Sequence, residues 1–184
     1  MRNLLLTTVL LLAFARIANA QNASAGASQQ VSLTLSNVIA ITFTGTGTNT
    51  GSTVNMAFNT VNDYLQGVTS AAQQLKVQSN TGFNVAVKFD VTTFSYVGQG
   101  ILNLNNIPTN VFQARVTANN TGGSIASPFS ATSYAPVYST NQDIITGGQF
   151  GDDQNFSVMY KVIPGLALPA GIYTIDIVYT ATQQ

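Results

Sequence analysis

Residues 83–91 read Phe83-Asn84-Val85-Ala86-Val87-Lys88-Phe89-Asp90-Val91, with a large apolar side chain at every odd position and a small or polar one at every even position. Neighbouring side chains on a strand point to opposite faces, so this alternation gives one apolar face and one wet face. A helix of the same sequence would scatter its apolar residues around the axis. The stretch is therefore a half-buried β-strand, and it sets the period in which the rest of the chain is read.

The same period recurs on both sides. Val31, Leu33 and Leu35 alternate with Ser32, Thr34 and Ser36, and the apolar character continues through Val38, Ile39, Ile41 and Phe43. Val54, Met56 and Phe58 mark a second strand, Leu75 and Val77 a third, and Val111 to Ala118 another. Phe156, Val158, Tyr160 and Val162 alternate again, and Ile172 to Thr180 places Tyr173, Ile175, Ile177 and Tyr179 on one side. Those last two strands are joined by a short connection containing Pro164-Gly165 and Pro169-Ala170-Gly171, so they are expected to pair antiparallel. Gly45–Gly51, Asn119–Gly123 and Gly147–Gly151 have loop compositions, and the stretch from Gly98 to Asn110 is irregular. One helical turn is expected near Asp63 to Val68, with Asp63 as its cap and Gly67 as its stop. Short strands separated by turn signals predict an all-β, immunoglobulin-like β-sandwich of about seven to ten antiparallel strands.

The first twenty residues carry a basic start at Arg2, an apolar run from Leu4 to Phe14 and the small-residue ending Ala18-Asn19-Ala20. This is the pattern of a cleaved secretory signal. The apolar run falls short of the roughly 20 residues of a membrane span, and Arg16 interrupts its end. The expected product is a secreted, extracellular or cell-surface chain of one domain, residues 21–184, with no membrane span.

Beyond the signal, four basic residues (Lys76, Lys88, Arg115, Lys161) face six aspartates, a net charge of −2. That balance argues against nucleic acid and anionic membranes as partners. Only 7% of the chain is charged, so little repulsion keeps copies apart and a homo-oligomer is expected. The chain contains no cysteine, histidine or glutamate. Disulfides, the usual general base, the thiol nucleophile and the preferred zinc ligands are thereby missing, and the reading is of a protein that is not an enzyme and needs no cofactor. Calcium is the metal left to consider: Asp143, Asp152, Asp153 and Asn155 are hard oxygen ligands near a glycine-rich stretch, although their spacing is not that of an EF-hand. Phe94, Tyr96, Tyr134 and Tyr138 stand outside the strand pattern. Such rings either close the ends of the sandwich or stack on surface glycans, with Tyr134 and Tyr138 the candidate stacking pair.

Two segments resemble a known family. Leu75-Lys76-Val77-Gln78-Ser79-Asn80 leading into Phe83-Asn84-Val85-Ala86-Val87, and Pro169-Ala170-Gly171-Ile172-Tyr173 running on to Tyr179-Thr180, are similar to secreted pilin-like β-sandwiches, including spore coat protein U-like pilin domains and, more weakly, WxL surface domains. No Trp-x-Leu is present, which speaks against the peptidoglycan binding of the latter. The resemblance implies a pilus-like filament subunit assembling by strand donation, with 21–43 as the donor segment and Val31, Leu33 and Leu35 as its polymerising side chains. The competing expectations are a first strand kept within its own domain and, for function, a surface carbohydrate-binding module.

Overall fold

The computed structural model describes residues 25–45, 53–92, 94–98 and 111–184. The expected signal peptide with its Ala18-Asn19-Ala20 ending, most of the Gly45–Gly51 loop and nearly all of the irregular 98–110 stretch lie outside these residues. The chain falls into two units, Met1–Leu35 and Ser36–Gln184, and every described strand belongs to the second.

Twelve strands and one helix follow in order among the described residues: β1 (Ile39–Phe43), α1 (Val61–Gln66), β2 (Val68–Thr69), β3 (Gln73–Ser79), β4 (Phe83–Phe89), β5 (Ser95–Gly98), β6 (Phe112–Asn120), β7 (Ser124–Ile125), β8 (Ala135–Pro136), β9 (Gln142–Gly148), β10 (Gly151–Val162), β11 (Gly171–Thr174) and β12 (Ile177–Gln183). Seven of them are five residues or longer, and the twelve in all exceed the seven to ten expected. One sheet runs β1-β3-β10-β6-β8, with β2 also paired to β10. The other runs β12-β4-β9-β7, and β5 pairs with β11 as a separate ribbon. Every pairing is antiparallel. The fold is an all-β sandwich.

The odd positions of β4 are the centre of the core, as the alternation required: Phe83, Val85, Val87 and Phe89 are all buried. Leu75 and Val77 from β3, Ala114 and Val116 from β6, and Phe156 and Val158 from β10 meet them from the opposite sheet. Aromatic rings tie the two layers together. Phe89 of β4 meets Phe112 of β6 edge-on at 5.4 Å between centroids, and Phe156 of β10 meets Tyr179 of β12 at 6.3 Å. The hydroxyls of Tyr160 in β10 and Tyr179 in β12 are 3.1 Å apart, a hydrogen bond between the sheets. Burial pushes the Tyr160 phenol up to about 12. Tyr179 is raised well above its ordinary value, by burial first and then by the Tyr160 beside it.

Several local expectations are corrected. The strands 156–162 and 172–180 do not pair with each other: β10 pairs with β2, β3 and β6, while the C-terminal run breaks at Ile175–Asp176 into β11, paired with β5, and β12, paired with β4. A sandwich needs connections that cross from sheet to sheet, and the stretch from β10 to β12, by way of the β11 ribbon, serves as one. The Gly147–Gly151 stretch, read as loop, is the end of β9 and the start of β10, with only Gln149 and Phe150 between them. Helix α1 is capped by Thr60 rather than Asp63. Asp63 is the third helical residue, accepting from the Asn59 and Thr60 backbone N–H groups while donating its own N–H to Thr60 Oγ1. That reciprocal pair is a capping box, and it holds the Asp63 carboxyl below its ordinary value. Residues 53–58, expected as a strand, alternate exposed with half-buried and pack Val54 and Met56 on the core, yet belong to no ladder among the described residues.

Gly148 shows how closely the second sheet is filled. A Cβ there would stand 2.6 Å from the Phe83 ring, and both residues are buried. Gly148→Ala is therefore expected to destabilise the domain by about 1–3 kcal/mol, the usual cost of overpacking, read as a lower urea midpoint at unchanged slope.

Candidate functional site

The departure from a closed sandwich lies where the chain enters it. Residues 25–38 are all exposed and belong to no strand. Val31, Leu33 and Leu35 are 76%, 82% and 86% exposed. Three aliphatic side chains at every second position, on a segment without strand partners among the described residues, form an unused strand face. Of the expected donor segment 21–43, residues 39–43 are β1 and pair with β3 in the chain's own sheet, from Ile39 opposite Ser79 to Phe43 opposite Leu75.

Strand β1 ends one sheet and β12 ends the other, and the two edges adjoin along a seam. Phe43 meets Tyr179 edge-on at 6.0 Å at one end, and Gln183 Nε2 donates to the Val38 carbonyl at 2.8 Å at the other. The inward residues of these edge strands, Ile39, Ile41, Phe43, Ile177, Tyr179 and Ala181, pack on the core but remain half-buried. The corresponding residues of β3 and β4 are buried outright. The apolar interior is thus only partly covered along the seam, beside backbone edges without ladder partners among the described residues.

Asn80 fixes the entrance to β1. The Val38 N–H donates to Asn80 Oδ1 at 2.9 Å, Asn80 Nδ2 donates to the Ser36 carbonyl at 2.9 Å, and the Asn80 N–H donates to the Val38 carbonyl at 3.3 Å. Gln183 Nε2 also reaches Asn80 Oδ1 and Ser79 Oγ, both at 3.2 Å. These two amides continue the β1–β3 ladder past its end and tie it to the last residues of β12. Reading the sequence missed this clamp, because its partners are 42 to 145 residues apart and no spacing announces them.

The other candidates resolve differently. Tyr134 lies beneath the Arg115 guanidinium, 5.0 Å from its ring centroid, so one of its faces is already taken. Tyr138 is 44% exposed, and its N–H donates to Gln142 Oε1 at 2.8 Å. Phe94 packs on Phe89 at 6.1 Å as an end plug. Asp143 is in β9, and Asp152, Asp153 and Asn155 are in β10, where Asn155 Nδ2 donates to Asp153 Oδ1 at 2.8 Å. Among the described residues no three acidic side chains come together as metal ligands. No helix among them is long and apolar enough to cross a membrane.

The Ala-Gly-x-Tyr ending has a structural explanation. Tyr96 Oη donates to the Ala170 carbonyl at 3.1 Å, and its ring covers Gly171 where a Cβ would collide with it. Tyr173 stacks on Tyr96 at 4.8 Å and donates its hydroxyl to the Pro169 carbonyl at 2.7 Å. The second tyrosine of the pattern, Tyr179, makes the bond to Tyr160. The chain matches no protein-family model and no curated protein sequence.

Proposed function

We propose that this protein is a non-enzymatic structural or adhesive cell-surface protein, exported through its signal peptide, and that it is a pilus-like filament subunit whose N-terminal segment adds as a strand to another copy. The observation carrying this reading is the exposed, alternating Val31, Leu33 and Leu35 immediately ahead of an edge strand. Burying a Val or Leu side chain contributes about 1.5–3 kcal/mol, so the three together are worth roughly 5–9 kcal/mol. Association itself costs about 4–15 kcal/mol in lost freedom. The side chains alone therefore come near break-even, and ladder hydrogen bonds at about 0.5–1.5 kcal/mol each provide the surplus. The absence of histidine, cysteine and glutamate, and a surface of neutral polar residues, suit a building block better than a catalyst.

Negative-stain electron microscopy of the exported chain, together with immunogold labelling of the producing cell surface, tests the reading. Filaments built from this chain are the expected result. Strictly monomeric particles, with no labelled filaments on cells, would overturn it.

A further inference from the structure

We propose that Asn80 and Gln183 commit the N-terminal segment to a second copy of this chain, which receives it on the free edge of β12; this rests on the strand-donation reading above. The acceptor is chosen by fit. β12 offers seven residues with one edge outside any ladder among the described residues, and Ile177, Tyr179 and Ala181 lie half-buried beside the seam at every second position. Val31, Leu33 and Leu35 repeat at the same interval over the same length. A strand laid on that edge continues the β12-β4-β9-β7 sheet and covers a side where the core is only partly sealed.

The commitment to another copy follows from the clamp. Strands β1 and β12 run in opposite directions across the seam, since Val38 lies against Gln183 and Phe43 against Tyr179. A chain leaving β1 through Val38 therefore passes the C-terminal end of β12. To lie on its own β12 edge, or to fold back on β1, it must reverse within Ser36–Val38. A three-residue hairpin turn ordinarily uses one residue with positive φ. No described non-glycine residue has a positive φ, and the Ser36 carbonyl and both backbone groups of Val38 are held by Asn80 and Gln183. Reversal would break these bonds. With self-pairing blocked, each copy has one segment to give and one edge to fill, a head-to-tail contact that extends without closing.

The chain contains no cysteine, so an introduced pair is unique. Thr34→Cys with Thr180→Cys, both at exposed positions, is treated with a short bismaleimide and run on a denaturing gel. The expected result is a ladder of linked copies that disappears when Leu33→Asp is added. Combining the pair with Asn80→Ala and Gln183→Ala, or with a Gly-Gly-Ser insertion between Asn37 and Val38, is expected to convert the ladder into an internally linked monomer. A freed short segment has an effective concentration on the order of 1 mM, so at about 10 μM chain the internal product should gain roughly a hundredfold over the ladder. The insertion leaves Asn80 able to hold Val38, and so covers the case in which the double alanine variant fails to fold.

An internal, Leu33-dependent link in the chain with an intact clamp would overturn the commitment to a second copy while leaving the segment's pairing in place. A ladder that survives both clamp variants would overturn the role of Asn80 and Gln183 but not strand donation. Filaments that form without any Thr34–Thr180 link would overturn β12 as acceptor. Absence of both filaments and links would remove the strand-donation reading itself.

Discussion

Replacing Leu33 by aspartate is expected to stop filament growth while leaving the sandwich as stable as before. Leu33 is 82% exposed, so the isolated domain loses no burial, and its urea midpoint should move by no more than about 0.5 kcal/mol equivalent. In the proposed filament the same position would face the seam of the next copy. The substitution there removes about 1.5–3 kcal/mol of apolar burial and brings in a carboxylate that must be desolvated or protonated, at a further cost of a few kcal/mol. Each 1.4 kcal/mol is a factor of ten in affinity, so a combined loss near 4 kcal/mol corresponds to about a thousandfold weaker association. Ser32→Asp is the control, because Ser32 is on the opposite face of the same segment and its change should be far milder. Sedimentation of assembled material and a urea melt of each variant decide the matter. Equal assembly by the Leu33 and Ser32 variants would sink the strand-face interpretation.

The second large effect is alkaline. Tyr160 is held in its neutral form to about pH 12, whereas an unfolded tyrosine ionises near 10. The folded state thus keeps a proton that the unfolded state releases between these values. The associated stability is fully present below pH 10 and is lost as the pH rises through 12. Two pKa units correspond to about 2.7 kcal/mol, a large share of the 5–15 kcal/mol that holds a typical domain. Tyr179 shifts in the same direction and adds to the loss. Removing both hydroxyls together, as Tyr160→Phe with Tyr179→Phe, strands neither of them without its partner, so the effect at pH 7 should be small. The double variant should lose markedly less stability between pH 10 and 12 than the parent, measured by urea unfolding at each pH. Parallel losses in the two proteins would show that the Tyr160–Tyr179 contact does not govern alkaline unfolding.

Much of the fold was legible because strand burial has a period of two and the residues obey it. The Phe83–Phe89 alternation locates the core directly, and the inward sets of β3, β6 and β10 follow from the same rule. Legibility failed where neighbours in space are distant in sequence. The 172–180 run looks like one strand whose partner should be the preceding one, yet its two halves join different sheets, and only the long-range pairing of β11 with β5 and β12 with β4 decides that. β9 was overlooked because Gly147 and Gly148 read as loop, although Gly148 is the residue that makes room for the Phe83 ring. At the candidate site, Val31, Leu33 and Leu35 stood out by their alternation, whereas Asn80 and Gln183 gave no local signal.

By itself the sequence determined an all-β chain with few charged residues and no thiol or imidazole, since composition and side-chain period depend only on the order of residues. The tertiary structure alone decided that β1 keeps residues 39–43 in its own sheet while 31–35 join no strand among the described residues, and that the two sheet edges meet at a half-covered seam held by two amides. An alternating segment has the same pattern whether its strand partner is present or missing; whether it finds one is settled by the edges that long-range packing leaves open.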